Sequence, residues 1–273
     1  MAQDRDELHS LYELCVQKPE AVVRLIRAAH GEGATEPGSP ASVLHEDFAG
    51  TGAVSRAWVK SDPAATAVAT DMDGAPLRFG REQAAAEGIE RSRIRWREAD
   101  VAEPNDIEPQ TRADAIFVGN FSIGELRTRA ELMAYLRTAH GRLAPGGILV
   151  CDTYGGAAAF RAGLVHRAHT GRVPGERVLY TWEQRCIDPF TARVTNALHF
   201  RVERGGQIVA EHFDAFVYHW RLWSVPELRD AMLEAGFVST RIISSLASDS
   251  TTAATPDPQP ATDHHIVCVA AYA

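Results

Sequence analysis

The sequence predicts an α/β fold: a doubly wound, mostly parallel sheet of seven strands with helices on both faces, and an antiparallel β-rich cap inserted after the fifth strand. Three observations predict this fold. From residue 43 to residue 152, short apolar runs alternate with helix-length runs, which is typical of a parallel sheet. Over residues 154–223 the pattern changes to long strand-like runs separated by turns. One helix and two further strands then follow.

The N-terminal region is expected to form two helices. Apolar residues between Leu8 and Ile26 recur at helical spacing, and Pro19 divides them. The stretch that follows contains glycines and prolines and is typical of a connector. The predicted organisation is a helical cover and connector in residues 1–40, the first half of the α/β domain in 41–153, the cap in 154–223, and the closing helix with the last two strands in 224–273.

Five strands and three helices are predicted in the alternating region. The strands are short and apolar, and Pro145, Gly146 and Gly147 separate the last of these helices from the fifth strand. The predicted strands are Val43–Phe48, Thr66–Thr70, Ile94–Arg97, Ala113–Gly119 and Ile148–Asp152, and the predicted helices are Ala53–Lys60, Ala75–Glu87 and Thr128–Leu143.

The cap is predicted from three long strand-like runs. Asp188-Pro189 and Gly205-Gly206 separate these runs as turns, so they are expected to form antiparallel hairpins. Residues 245–263 are rich in Ser, Thr, Pro and Asp, and they predict a mobile loop that the fold does not need. The three runs are Val178–Ile187, Arg193–Glu203 and Gln207–Arg221, followed by helix Val225–Glu234 and strands Val238–Ser244 and His265–Tyr272.

Charge and hydropathy narrow the possible classes of function. The formal net charge of −8 disfavours nucleic acid as a partner, because non-specific affinity for it rests on clustered Lys and Arg. No run approaches the roughly 20 apolar residues of a membrane helix, and the acidic N-terminus does not resemble a signal peptide. A cytoplasmic protein without a membrane partner is therefore expected, and an oligomer is possible.

Residue spacing predicts no metal site. The four cysteines are isolated, which is typical of reduced packing residues. His166 and His169 are predicted to lie in a helix or loop, while His264 and His265 flank the predicted mobile loop. None of these groups has the Cys/His spacing of a zinc site.

The segment between the first strand and the next helix is rich in glycine. Residues 46–52 read Glu-Asp-Phe-Ala-Gly-Thr-Gly. Gly50 and Gly52 let the backbone turn tightly and approach a ligand, which the amides of the helix N-terminus then face. Because glycines also end strands for structural reasons, this loop is a weak indication by itself.

Two acids follow at the ends of the next two strands. Asp71, followed by Met72, comes about 20 residues after Gly50, where a carboxylate is placed to accept both ribose hydroxyls of a nucleoside. Asp100, followed by Val101, ends the third strand and is placed to reach an adenine amino group. Capping of the following turn is the alternative role for Asp100. The glycines and acids together predict a ligand that contains a nucleoside.

With Pro145-Gly146-Gly147 before strand five, this order of motifs resembles the class I methyltransferases that use S-adenosyl-L-methionine on a Rossmann-like domain, of the small-molecule type. The match covers about residues 43–152, and the closing helix and strands fit the rest. The resemblance implies that Glu46 lies near the methionine amino end and that Gly50 and Gly52 lie along the methionine portion. It implies that Asp71 binds the ribose, that Asp100 contacts the adenine edge, and that Asn120 and Phe121 lie beside the transferring methyl group. The resemblance also implies that the same loops are lined by Phe48, Met72 and Val101.

The sequence departs from the family pattern at two positions and leaves other functions open. Phe48 replaces the first glycine usual in the loop, and Asp47 adds a second acid without an assigned role. A nicotinamide or flavin oxidoreductase would need a third glycine three positions after Gly52, where the chain has Ser55. A non-catalytic module that binds adenosylmethionine or another protein remains an alternative.

The cap is the region where methyltransferases of this class often carry the acceptor pocket. Its aromatic, His and Arg side chains indicate a bounded pocket for a small, partly apolar or cationic molecule. An N, O, S or C nucleophile of that molecule would take the methyl group by direct displacement. Glu183 and His199 are candidate catalytic bases, and Tyr12 is a candidate lid or catalytic group, although each also fits a packing role.

Overall fold

The computed structural model describes residues 2–33, 41–103, 112–243 and 265–273. The predicted loop 245–263 and the residue His264 lie outside these ranges. The helices are α1 Ala2–Val16, α2 Pro19–Gly33, α3 Ala53–Ser61, α4 Gly74–Ala86, α5 Arg129–Arg142 and α6 Val225–Ala235. The strands are β1 Val43–Asp47, β2 Thr66–Asp71, β3 Ile94–Glu98, β4 Ala113–Val118, β5 Leu143–Gly155, β6 Gly163–Thr170, β7 Glu176–Asp188, β8 Arg193–Arg204, β9 Gln207–Arg221, β10 Ser239–Ile243 and β11 His265–Tyr272.

The main sheet has seven strands in the order β3-β2-β1-β4-β5-β11-β10. Neighbouring strands from β3 to β5 pair in parallel, and β11 pairs antiparallel with both of its neighbours. The strand order reverses beside β1, so the loops after β1 and β4 diverge and leave a crevice at the carboxyl ends of the strands. The predicted doubly wound α/β class is confirmed.

Alternate residues of the central strands pack against different helices. In β4, Ala115 and Phe117 belong to the hydrophobic cluster with α2, α3 and α4, whereas Ile116 and Val118 belong to the cluster with α5 and α6. Because successive strand side chains point to opposite faces, this division places helices on both sides of the sheet. Both faces are apolar, which explains the continuous apolar runs of the parallel strands.

The cap is a separate antiparallel sheet in the order β6-β7-β8-β9. Strand β6 contains His166 and His169, so the prediction that they lie in a helix or loop was wrong. Most side chains of β6 are exposed, which leaves it without the apolar alternation that marks a half-buried strand.

Helix α1 shares its apolar core with the cap. Leu11 and Cys15 are buried in a cluster with cap residues that include Tyr180 and Phe200. The polar side of α1 contacts the main domain, where Arg56 of α3 forms an ion pair with Glu13. In the part of the chain that the structure describes, no helix is long and apolar enough to cross a membrane.

Candidate active site

The loop after β1 is built from residues with positive φ angles. Phe48, Gly50 and Gly52 have φ values of 53°, 54° and 61°. A Cβ atom on Gly52 would lie 2.6 Å from the ring of Trp96, so tight packing requires a glycine there. A Cβ on Gly50 would meet nothing within 4 Å, so this glycine borders open space. Gly50 is therefore the residue whose backbone a ligand can approach.

Asp71 links the carboxyl end of β2 to this loop. Its Oδ2 accepts a hydrogen bond from the Gly50 amide at 2.7 Å, and its Oδ1 accepts one from the Asp73 amide at 2.9 Å. Burial raises the pKa of Asp71, while these amide bonds favour its charged form. Each oxygen keeps a further acceptor position beside the open space at Gly50. The neighbouring Met72 is largely exposed.

Glu46 contacts the N-terminus of α3. It is buried, and its Oε2 accepts a hydrogen bond from the Ser55 amide at 2.7 Å. Burial raises the pKa of Glu46 to about 7, although the Ser55 and Val54 backbone hydrogen bonds oppose that rise. The contacts of Glu46 in the structure therefore hold the glycine-rich loop in place, and they leave its predicted contact with the methionine amino group as an expectation.

Asp47 and Phe48 point to the other side of the sheet. Asp47 is buried, pairs with Arg142 of α5 and accepts a hydrogen bond from the Tyr135 hydroxyl at 2.8 Å. The Phe48 ring lies 6.0 Å from the Tyr135 ring and packs on the same core cluster. The acid without an assigned role is thus part of a buried ion pair, and the half-buried Phe48 ring packs beside that pair.

The end of β3 is arranged as a turn. Asp100 Oδ1 accepts a hydrogen bond from the Ala102 amide at 2.8 Å, which is the capping role left open for this acid. Val101 is buried in the cluster with α5, so its side chain serves packing. Asp100 is half-buried, and its predicted contact with the adenine edge stays an expectation.

Asp152, which directly follows the part of β5 that pairs in parallel with β4, organises the loop after β4. Its two oxygens accept hydrogen bonds from the amides of Asn120, at 2.9 Å, and Phe121, at 2.7 Å. Asn120 and Phe121 both adopt positive φ, which non-glycine residues rarely do. Burial raises the pKa of Asp152 to about 7. The sequence analysis missed this residue, although its position at the end of a parallel strand is the same indication that identified Asp71.

A wall of aromatic rings faces this loop from the cap and β5. Phe121 contacts Tyr154, Trp182 and Trp220, with ring centroids 4.9, 5.6 and 6.2 Å away. Tyr218 stacks on Trp220 at 4.4 Å. We call Phe121, Tyr154, Trp182, Tyr218 and Trp220 the aromatic wall.

Tyr12 of α1 lies between the cap and the carboxylates of the main sheet. Its ring contacts Phe216 at 5.2 Å. Burial, followed by the nearby Tyr218 hydroxyl and the charges of Asp152 and Asp71, raises the pKa of Tyr12 well above its ordinary value. Its hydroxyl therefore stays protonated at neutral pH, which suits hydrogen bonding, and its predicted role as a lid or catalytic group stays a prediction.

Glu183 and His199 lie on the other face of the cap sheet. Trp182 and Leu198 pair across β7 and β8 and point towards the core, so their neighbours Glu183 and His199 point away from the cofactor loops. This orientation does not favour their role as bases at the methyl site, and that role stays a prediction. Successive side chains of a strand point to opposite faces of the sheet, so a shift of one residue moves a side chain from the inner face to the outer face.

The same outer face holds the one group of possible metal ligands found among the described residues. Glu183, His199 and Asp214 bring their ligand atoms within 4.8 Å of one another. His199 Nδ1 accepts a hydrogen bond from the Asp214 amide at 3.0 Å, and its Nε2 lies 2.9 Å from Glu183 Oε2. Arg185 pairs with both carboxylates. Protein partners therefore already occupy these ligand atoms.

Comparison with known proteins identifies the fold. No protein-family model matches the chain, and no curated protein matches it. Solved structures do match, and among them are structures of S-adenosylmethionine-dependent methyltransferases. The predicted resemblance to the Rossmann-like fold of these enzymes is thus confirmed at the level of the fold.

Three of these structures match over nearly their whole length. The amino pentose methyltransferase CalS10 from Micromonospora echinaspora is 16% identical, with a TM-score of 0.68 over 96% of this chain and 95% of that chain. An S-adenosylmethionine-dependent methyltransferase from Clostridium acetobutylicum is 14% identical, with a TM-score of 0.66 over 95% of each chain. The sugar N-methyltransferase KedS8 from Streptoalloteichus is 18% identical, with a TM-score of 0.64 over 94% of this chain and 90% of that chain.

Proposed function

We propose that the protein is an S-adenosyl-L-methionine-dependent methyltransferase that acts on a small-molecule acceptor. The observation that carries this proposal is the joint geometry of Gly50 and Asp71 at the crevice of the sheet. Gly50 borders open space, its amide binds Asp71, and the carboxylate of Asp71 retains acceptor positions beside that space. A nucleoside with two ribose hydroxyls fits such a cradle.

The proposed cofactor contacts divide into two groups. Gly50, Asp71 and Asp100 have ligand-accessible backbone or carboxylate oxygens and would contact the cofactor directly, with Met72 beside the adenosine. Four further predicted residues shape the same loops. Glu46 and Gly52 hold the loop after β1 in place. The backbone of Phe48 forms part of the same loop with a positive φ, and the Val101 side chain packs the loop after β3 against the core.

Asn120 and Phe121 would lie beside the methyl group, where Asp152 holds their backbone. When bound, S-adenosylmethionine supplies an activated methyl group on a sulfonium. The residues of the chain then position the acceptor and exclude water, which is the main requirement of a direct displacement. Tyr12 closes the site from α1 with a protonated hydroxyl. The aromatic wall bounds the acceptor side.

The proposed acceptor is a small molecule with an amino group on a sugar-like ring. The names of CalS10 and KedS8 describe enzymes that act on amino sugars or on sugar nitrogen, and their folds match most of this chain. The aromatic wall supports a small, partly apolar or cationic acceptor, because its rings offer apolar contact and π faces close to one another. A cytoplasmic location and a role for an oligomer stay predictions.

Binding and turnover measurements test the proposal. The purified protein should bind S-adenosylhomocysteine in calorimetric titration. In a separate assay, it should form S-adenosylhomocysteine as a product when it is incubated with S-adenosylmethionine and a panel of amino sugars. Failure to bind either cofactor form would contradict the proposal. Binding without turnover on any amine, phenol, thiol or carboxylate would favour the non-catalytic binding module.

A further inference from the structure

Glu125 is a carboxylate that the cofactor site does not use. It ends a short 3-10 turn, Ser122–Glu125, directly after Phe121. A Cβ on Gly124 would lie 2.8 Å from Trp220 Cβ, so this turn packs closely on strand β9 of the cap. Glu125 therefore stands at the junction between the loop after β4 and the acceptor side of the cap.

One oxygen of Glu125 is fixed and the other is available. Oε1 accepts a hydrogen bond from the Trp220 indole N–H at 2.7 Å. Within the described residues, no hydrogen bond to Oε2 is found. Glu125 is only half-buried, whereas its neighbours Ile123, Gly124 and Trp220 are buried. The indole thus orients the carboxylate and leaves its second oxygen free to bind a ligand.

The π faces of Tyr218 and Trp220 lie beside Glu125 and carry no guanidinium from the residues that the structure describes. Trp220 stacks on Tyr218 at 4.4 Å and contacts Trp182 at 6.0 Å. In the described ranges, the guanidinium–ring contacts are made on Trp58, Trp223 and Tyr272, outside the aromatic wall. Aromatic faces beside a carboxylate form the chemistry that binds an ammonium group.

The charge at the junction also favours a hydrogen-bond donor. Burial raises the pKa of Tyr218 against the opposing hydrogen bond with Tyr12, and nearby Tyr180 and the charges of Glu125 and Asp71 add smaller increases. Carboxylates thus act on the Tyr218 hydroxyl from both the ribose side and the acceptor side of the crevice. A cationic or donor-rich acceptor is stabilised there, and an anionic acceptor is repelled.

We propose that Glu125 is the specificity-determining residue for the acceptor and that its free oxygen binds an N–H of an amine held against Tyr218 and Trp220. The proposal rests on the methyltransferase function proposed above and adds the residue that selects the acceptor. An ammonium gains an ion pair with the carboxylate and a cation–π contact, whereas the corresponding alcohol can only donate a hydrogen bond to that oxygen. Selection of amines over alcohols follows from this difference.

The test compares matched amines and alcohols on wild type and Glu125→Gln. Glutamine keeps an oxygen for the Trp220 indole but removes the charge, so the fold should be retained. The probes are 2-phenylethylamine with 2-phenylethanol, and glucosamine with glucose, titrated in the presence of S-adenosylhomocysteine and followed by tryptophan fluorescence. Glu211→Gln is the control, because Glu211 is an exposed residue of β9 that pairs with Arg201.

In wild type and Glu211→Gln, at least one amine should bind tenfold or more tightly than its alcohol. Glu125→Gln should lose this preference and keep its melting temperature and its S-adenosylhomocysteine affinity. For any amine that is methylated, KM should rise more than kcat falls. Equal binding of amine and alcohol to wild type, or a preference that survives Glu125→Gln, would overturn the proposal. Absent S-adenosylhomocysteine binding would instead contradict the methyltransferase function, so the two failures are distinguishable.

Discussion

Replacing Asp71 by asparagine should weaken cofactor binding by one to two orders of magnitude. Both Asp71 oxygens accept backbone amides, from Gly50 at 2.7 Å and from Asp73 at 2.9 Å. An asparagine NH2 group cannot accept a hydrogen bond, so one ribose hydroxyl loses its acceptor and one backbone amide faces a donor. A hydrogen bond to a charged group contributes about 1.5–3 kcal/mol, and ~1.4 kcal/mol corresponds to a tenfold change in Kd. The expected loss is therefore roughly 10- to 150-fold.

Calorimetric titration with S-adenosylhomocysteine measures this loss. Asp62→Asn is a matched control, because Asp62 also accepts a backbone amide, from Ala64 at 2.8 Å, but lies after α3 at the opposite edge of the sheet. Its affinity should equal that of wild type. If Asp71→Asn and Asp62→Asn bound the cofactor equally well, the ribose assignment and the reasoning behind it would be refuted.

Three further predictions concern the ion pair, the buried acid and the outer face of the cap. Arg142→Leu leaves Asp47 buried and unpaired and should destabilise the protein by about 3–5 kcal/mol in urea titration, whereas the double variant with Asp47→Leu should recover part of that loss. The pKa of Asp152 is about 7 in the folded protein, whereas its ordinary value is 3.8. Because the fold favours the protonated form, the stability that this group contributes is complete below pH ~4 and is lost as the pH rises to about 7. Wild type should therefore lose stability relative to Asp152→Asn over that interval, and parallel pH profiles of the two melting temperatures would contradict the assignment. Glu183→Gln should leave cofactor affinity and the rate of methyl transfer within twofold of wild type. A tenfold loss of turnover at unchanged stability would instead support the predicted role of Glu183 as a base.

Periodicity predicted most of the fold because most elements bury one face or both. The helix Thr128–Leu143 was predicted within one residue of α5, since a capping threonine and the Pro-Gly-Gly turn mark its ends. Strand β6 was missed because its side chains are exposed on both faces, so no apolar pattern distinguishes it from a loop. A strand of this kind is fixed by its hydrogen bonds to β7, which sequence patterns do not show.

The cofactor half of the candidate site could be predicted better than the acceptor half. Parallel strands bring their carboxyl ends to one edge, so Asp71 and Asp100 follow from strand position alone. In the cap, the face of a side chain depends on register, and Glu183 lies one residue beyond the inward Trp182. Glu125 belongs to an irregular turn, and only its contact with Trp220 distinguishes it from other surface acids.

The attachment of α1 has a consequence for how ligands enter and leave. The helix is joined to the cap by an apolar core and to α3 and α4 chiefly by ion pairs, of Arg56 with Glu13 and of Arg78 with Asp6, together with the contact of His9 on Phe79. Of the two sides of α1, the side against the main domain therefore separates more readily, and Tyr12 would stay with the cap if α1 moved away from α3 and α4. Salt screens the partly exposed pair Arg78–Asp6 much more than the buried pair Arg56–Glu13 or the apolar core. The residence time of a bound ligand should therefore shorten moderately as ionic strength rises.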